Sequence, residues 1–127
     1  MQRLQLKSKI HRAIITQADV NYEGSIEIPT DLMRAADLWA REKVLVASVT
    51  TGARLETYVQ AGAEGTGNIV MNGGAAHLIG QGERITIMAF SWSDQPVPAR
   101  IVLCDDSNAI VREELAETGQ DPETSHG

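Results

Sequence analysis

The sequence predicts a mainly β chain: a small β-barrel carrying one or two short helices. Three observations predict it. About seven short runs read as strands, and Gly, Asn or Pro punctuates several of the turns between them. One stretch alone repeats its apolar residues at helical spacing over more than a turn. Hydrophobic residues make up 43% of the chain and aromatics only 4%, so Val, Ile, Leu and Ala must fill the core.

The elements follow in order. Residues 12–17 are β-branched and read as a strand. Asn21-Tyr22-Glu23-Gly24 reads as a turn, because Asn and Gly tolerate positive φ. Residues 25–28 alternate polar and apolar, as a half-buried strand does, and Pro29 ends them. Thr30 and Asp31 are suited to cap a helix, and Leu32, Ala35, Ala36, Leu38 and Trp39 continue it to about residue 40. Residues 43–50 form a strand, Thr51-Gly52 a hairpin turn, and 54–59 the returning strand. A glycine-bearing loop over 61–67 leads to a brief strand at 68–71. Gly73-Gly74 and a helical turn over 75–79 precede the strand at 84–90. Pro96 and Pro98 make 93–98 a loop, and 100–104 is the last strand. Residues 113–127 are acidic, poor in apolar side chains, and expected to be disordered.

The length of 127 residues suits one domain. No run approaches the roughly 20 apolar residues of a membrane helix, and the opening MQRLQLKSKIHR lacks an apolar signal core. A single cysteine, Cys104, makes no internal disulfide, which leads to the expectation of a cytoplasmic protein. The formal net charge of −6 is unevenly placed. Residues 105–127 hold seven acids against Arg112 and account for all of it; residues 1–104 hold ten acids and ten bases. A neutral body argues against nucleic acid as a partner, because that binding needs a basic patch. It leaves room for a small anion held by one or two local bases.

Phosphate-binding glycine loops, a GxSxG elbow and paired cysteines are missing from the sequence, and His11, His77 and His126 are too scattered for a zinc site. These observations describe a mostly β domain with candidate polar groups and go no further.

Four sequence blocks carry a resemblance. They are Lys9-Ile10-His11-Arg12, Ala18-Asp19 with Tyr22-Glu23-Gly24-Ser25, Gly52 and Arg54 with Thr57-Tyr58, and Asn72-Gly73-Gly74-Ala75-Ala76-His77. Their order and spacing resemble the pyruvoyl-dependent aspartate 1-decarboxylases over residues 3–112. The resemblance implies a double-psi β-barrel over 1–112, assembled as a homotetramer with active sites between subunits. It implies self-cleavage between Gly24 and Ser25, giving chains 1–24 and 25–127, spontaneously or with a maturation factor. Ser25 would attack the Gly24 carbonyl, and elimination and hydrolysis would leave a pyruvoyl group at the new N-terminus. That group would take the place of PLP, with no metal, by forming a Schiff base with L-aspartate and accepting electrons as CO₂ leaves. The product would be β-alanine, for pantothenate synthesis.

By the same resemblance, Tyr58 is the proton donor, and an unperturbed tyrosine stays protonated at neutral pH. Arg54 and Lys9 hold substrate carboxylates, for which the guanidinium fork is suited. Thr57, Gly73, Gly74 and Ala75 bind substrate, and Asn72 steadies the oxyanion of processing. His11 is a further candidate near the site. Gly24 is expected to take a strained conformation with an unshielded carbonyl. Strict alternation would put Arg54 and Tyr58 on one strand face and Thr57 on the other, so a bulge or the strand end is expected to realign them. Gly74 stands where relatives often have alanine, and Ala47 where some have tryptophan. Two other readings are an uncleaved β-barrel binding module and a decarboxylase for another acidic amino acid.

Overall fold

The computed structural model describes residues 1–117. Nine strands pair into one sheet among them. They are β1 (Arg3–Ile14), β2 (Gln17–Asp19), β3 (Ser25–Pro29), β4 (Lys43–Ser48), β5 (Arg54–Gly62), β6 (Val70–Asn72), β7 (Arg84–Ser93), β8 (Ala99–Cys104) and β9 (Ile110–Ala116). One helix, α1 (Thr30–Ala36), and one 3-10 turn over Gly73–His77 complete the fold. The spatial order is β2-β6-β3-β5-β4-β7-β1-β8-β9. β1 with β8, β2 with β6, and β3 with β5 run parallel. Only two residues separate β1 from β2, so one stretch of chain pairs with β7 and then with β6, giving a barrel-like wrap.

The core is aliphatic. Ile10, Ile26, Ile28, Val46, Val59, Met71, Ile85 and Ile87 are fully buried. All five aromatic side chains remain exposed, Trp39 and Trp92 most of all, at 77% and 67%.

Several expected boundaries shift. The first strand begins at Arg3, not at residue 12. Two irregularities, between Leu6 and Ser8 and between Ile10 and Ala13, break its period of two and hide the pattern; Arg12 sits there at φ 65. The helix ends at Ala36, not near 40, because Asp37 turns left-handed at φ 58 and the Leu38 N–H closes onto Met33 O at 2.8 Å. Thr30 and Asp31 do not cap it; Asp31 Oδ1 instead accepts the Gly65 N–H at 3.0 Å and ties down the following loop. The acidic segment expected to be disordered from residue 113 begins as strand. Residues 113–116 belong to β9, held by antiparallel pairing with β8 that needs no apolar side chains. The rest of that segment, 118–127, lies outside the described residues. No helix among the described residues is long and apolar enough to cross a membrane.

Candidate active site

Ser25 opens β3 and is 1% exposed. It is paired with Asn72 at the end of the antiparallel β6. Asn72 Nδ2 donates to Ser25 Oγ at 3.2 Å, and Ser25 Oγ donates to Gln60 Oε1 at 2.8 Å. Burial without water is tolerated because both partners are present.

Gly73 follows Asn72 directly and has φ +73, a backbone that side chains disfavour. A Cβ there would sit 2.6 Å from Gly24 Cα and 3.1 Å from Tyr22 O. The turn before Ser25 therefore rests on bare backbone. Gly24 differs from expectation: its φ is not positive, and a Cβ would meet nothing within 4 Å. The left-handed strain falls on Gly73 instead, because that residue must let two chain segments touch. Gly24 as a residue is exposed.

Tyr58 lies beside this cluster. The parallel register Ile26 to Val59 carries back one step to put Ser25 level with Tyr58. Tyr58 is 36% exposed. Thr57, its neighbour, pairs with the buried Val44 and takes the inner side of the sheet. β5 keeps an unbroken register with both β3 and β4, so the expected bulge is absent. Gly74 is exposed and Ala75 half-buried, both in the 3-10 turn after Gly73.

The bases lie elsewhere. Arg54 begins β5, four residues from Tyr58, which is about 13 Å along a strand. The registers set it in a row with Ala47 and Thr86. His11 Nδ1 lies 3.4 Å from Thr86 Oγ1 at the end of that row. Lys9 belongs to the next row, with Met88, Leu45 and Glu56. Three strand spacings, about 14 Å, separate it from β5. Among the described residues neither Lys9 nor Arg54 enters an ion pair. One chain thus unites Gly24, Ser25, Tyr58, Asn72 and Gly73, and leaves Lys9, His11 and Arg54 apart from them.

The comparisons with known proteins agree on one family. The model of the aspartate decarboxylase family matches residues 1–111. An aspartate 1-decarboxylase of Corynebacterium efficiens is 56% identical over 115 residues, covering 87% of this chain and 85% of its own. One of Mycolicibacterium smegmatis is 49% identical over the same length and shares. One of Caldicellulosiruptor bescii is 47% identical over 114 residues, 84% of this chain and 87% of its own. The chain belongs to the aspartate decarboxylase family.

In this family member His11 lies near two bases of its own strand. Partial burial first, then the charges of Lys9 and Arg12, push its imidazolium below the ordinary value. Ala47, in the row between Arg54 and Thr86, carries only a methyl group. Cys104 contributes nothing reactive: burial, with Asp105 and Asp31 adding to it, raises its thiol to about 11. Among the described residues no three His, Cys, Asp or Glu side chains come together as a metal site.

Sequence reasoning passed over Gln60. Alternation along β5 places it on the face of Tyr58, which was a usable signal. Its contact with Ser25 depends on the parallel β3–β5 pairing, which no local pattern reveals.

Proposed function

We propose that this chain decarboxylates L-aspartate to β-alanine, using a pyruvoyl group made from its own Ser25 after cleavage at Gly24-Ser25. Family membership supports the reaction class, a carboxy-lyase. The observation that carries the finer reading is the buried Ser25 hydroxyl, held between Asn72 and Gln60 at the end of an exposed glycine. A hydroxyl buried with two partners, following an exposed glycine, is suited to act as a nucleophile. The residues present suit the group that would result: β3 would hold the new N-terminus, and Asn72 is paired across from it. When bound there, a pyruvoyl group supplies an electron sink for the pair left by a departing carboxylate.

The chain's own side chains divide the remaining work. Tyr58, level with Ser25, holds a proton for the substrate's α-carbon. Arg54 and Lys9 bind carboxylate by charge-assisted hydrogen bonds. By these spacings neither base converges on Ser25 along the sheet of a single chain. This separation supports a homotetramer in which one subunit's bases face another subunit's Ser25. Exposed Leu4, Phe90 and Trp92 line a groove of about 580 Å³ with Lys43 and Glu56, an apolar surface suited to such contact. The cytoplasm is the proposed location, and pantothenate synthesis the proposed use of the product.

Denaturing mass spectrometry tests the reading. The protein should yield chains 1–24 and 25–127, the larger blocked at its N-terminus, and Ser25→Ala should stay whole and inactive. An intact wild-type chain, both purified and after incubation in extract of the producing cell, would leave the uncleaved binding module as the better account.

A further inference from the structure

We propose that Gln60 is a positioning residue for self-cleavage: its carboxamide oxygen holds the Ser25 hydroxyl proton and so aims the oxygen at the Gly24 carbonyl. The inference rests on the self-cleavage reading and adds a residue which that reading does not require.

The geometry assigns each part of the hydroxyl. Its proton points to Gln60 Oε1 at 2.8 Å, and one lone pair accepts from Asn72 Nδ2 at 3.2 Å. A hydroxyl has one further lone pair, and that pair is left to attack. At 1% exposure, Ser25 has little water to compete for these positions. Without an acceptor at Gln60, the O–H could rotate and occupy the direction of attack with its hydrogen.

The step balances as an N-to-O acyl shift. The bond from Ser25 Oγ to the Gly24 carbonyl carbon forms, and the bond from that carbon to the Ser25 nitrogen breaks. The hydroxyl proton finishes on the freed Ser25 amine. As Oγ gives electrons to carbon its O–H becomes more acidic, so the hydrogen bond to Gln60 strengthens towards the transition state. An interaction stronger there than before reaction lowers the barrier. The amide oxygen does not remove the proton at neutral pH; it orients and polarises it.

The test follows appearance of the 25–127 polypeptide by intact mass in the full-length chain, with folding checked by circular dichroism. Gln60→Leu and the length-preserving Gln60→Met should cleave about tenfold more slowly, the loss of one hydrogen bond. Gln60→Glu should restore the acceptor and give a cleavage rate that rises with pH through the carboxylate range, an inflection the wild type lacks. A merely structural glutamine would not produce that profile. Wild-type rates in folded Gln60→Leu or Gln60→Met, or a flat profile for Gln60→Glu, would overturn the inference. Should neither apolar variant fold, the Gln60→Glu profile decides alone. A wild-type chain that never cleaves sinks the self-cleavage reading itself, which is a separate outcome.

Discussion

Thr57 and Tyr58 are neighbours in sequence and lie on opposite faces of one strand. Tyr58 shares its face with Ser25 and Gln60, whereas Thr57 turns towards Val44. The two side chains therefore cannot serve one small ligand on equal terms within a chain whose β5 has no bulge. Tyr58→Phe should fold and cleave normally but lose about 10²–10⁴-fold in β-alanine production, the usual worth of a general acid. A coupled turnover assay on the cleaved variant checks this, and unchanged turnover would remove Tyr58 from the donor role. Gly24, Ser25, Asn72 and Gly73 were legible through the blocks that resemble the decarboxylase family; their residue types alone read as turns. Which glycine carries the positive φ was not legible. That depends on Gly73 meeting the Gly24 backbone across the sheet, a contact between distant stretches of sequence.

At the scale of elements, one carboxylate ties two turns together. Glu83 accepts the Gly80 N–H at 2.7 Å, the Ser48 hydroxyl at 2.6 Å and the Thr51 hydroxyl at 3.4 Å. It thereby clamps the β4–β5 hairpin to the entry of β7. The Gly80 N–H, and then Ser48, stabilise the charged form and hold the carboxyl below its ordinary 4.5. The unfolded chain then binds that proton more readily than the folded one. The stabilisation is present above about 4.5 and drains away as pH falls below it. Glu83→Ala should cost about 1–2 kcal/mol at neutral pH. The difference from wild type should shrink in acid. Urea melts at several pH values measure both, and a constant difference would contradict the assigned role.

Element legibility followed the regularity of the pattern. β7 carries Ile85, Ile87 and Ala89 in strict alternation and was legible. β1 was not, because its irregularities desynchronise Leu6, Ser8, Ile10 and Ala13. β9 was not, because its backbone pairs with β8 while its side chains stay mostly exposed.

For the whole molecule, the division of charge matters more than the total. The body that carries the candidate site is neutral, and the excess acid belongs to residues 105–127. A dicarboxylate can therefore approach Lys9 and Arg54 without crossing a uniformly negative surface. The distance between those bases and Ser25 makes a prediction about assembly. Arg54→Ala and Tyr58→Phe subunits, each inactive alone, should regain activity when coexpressed. Random mixing would leave about a quarter of shared sites with both intact residues. Activity in the mixed sample, read after purification through separate tags, supports sites built from two subunits; none would place Arg54 and Tyr58 in the same one.

The exposure of Trp39 and Trp92 has an optical consequence. Both indoles already face solvent in the isolated folded chain, so their emission should lie close to that of indole in water. Unfolding then shifts the wavelength little, and intrinsic fluorescence is a poor witness to the aliphatic core. What it reports well is cover arriving from outside: a blue shift at rising protein concentration would mark the moment these surfaces leave water.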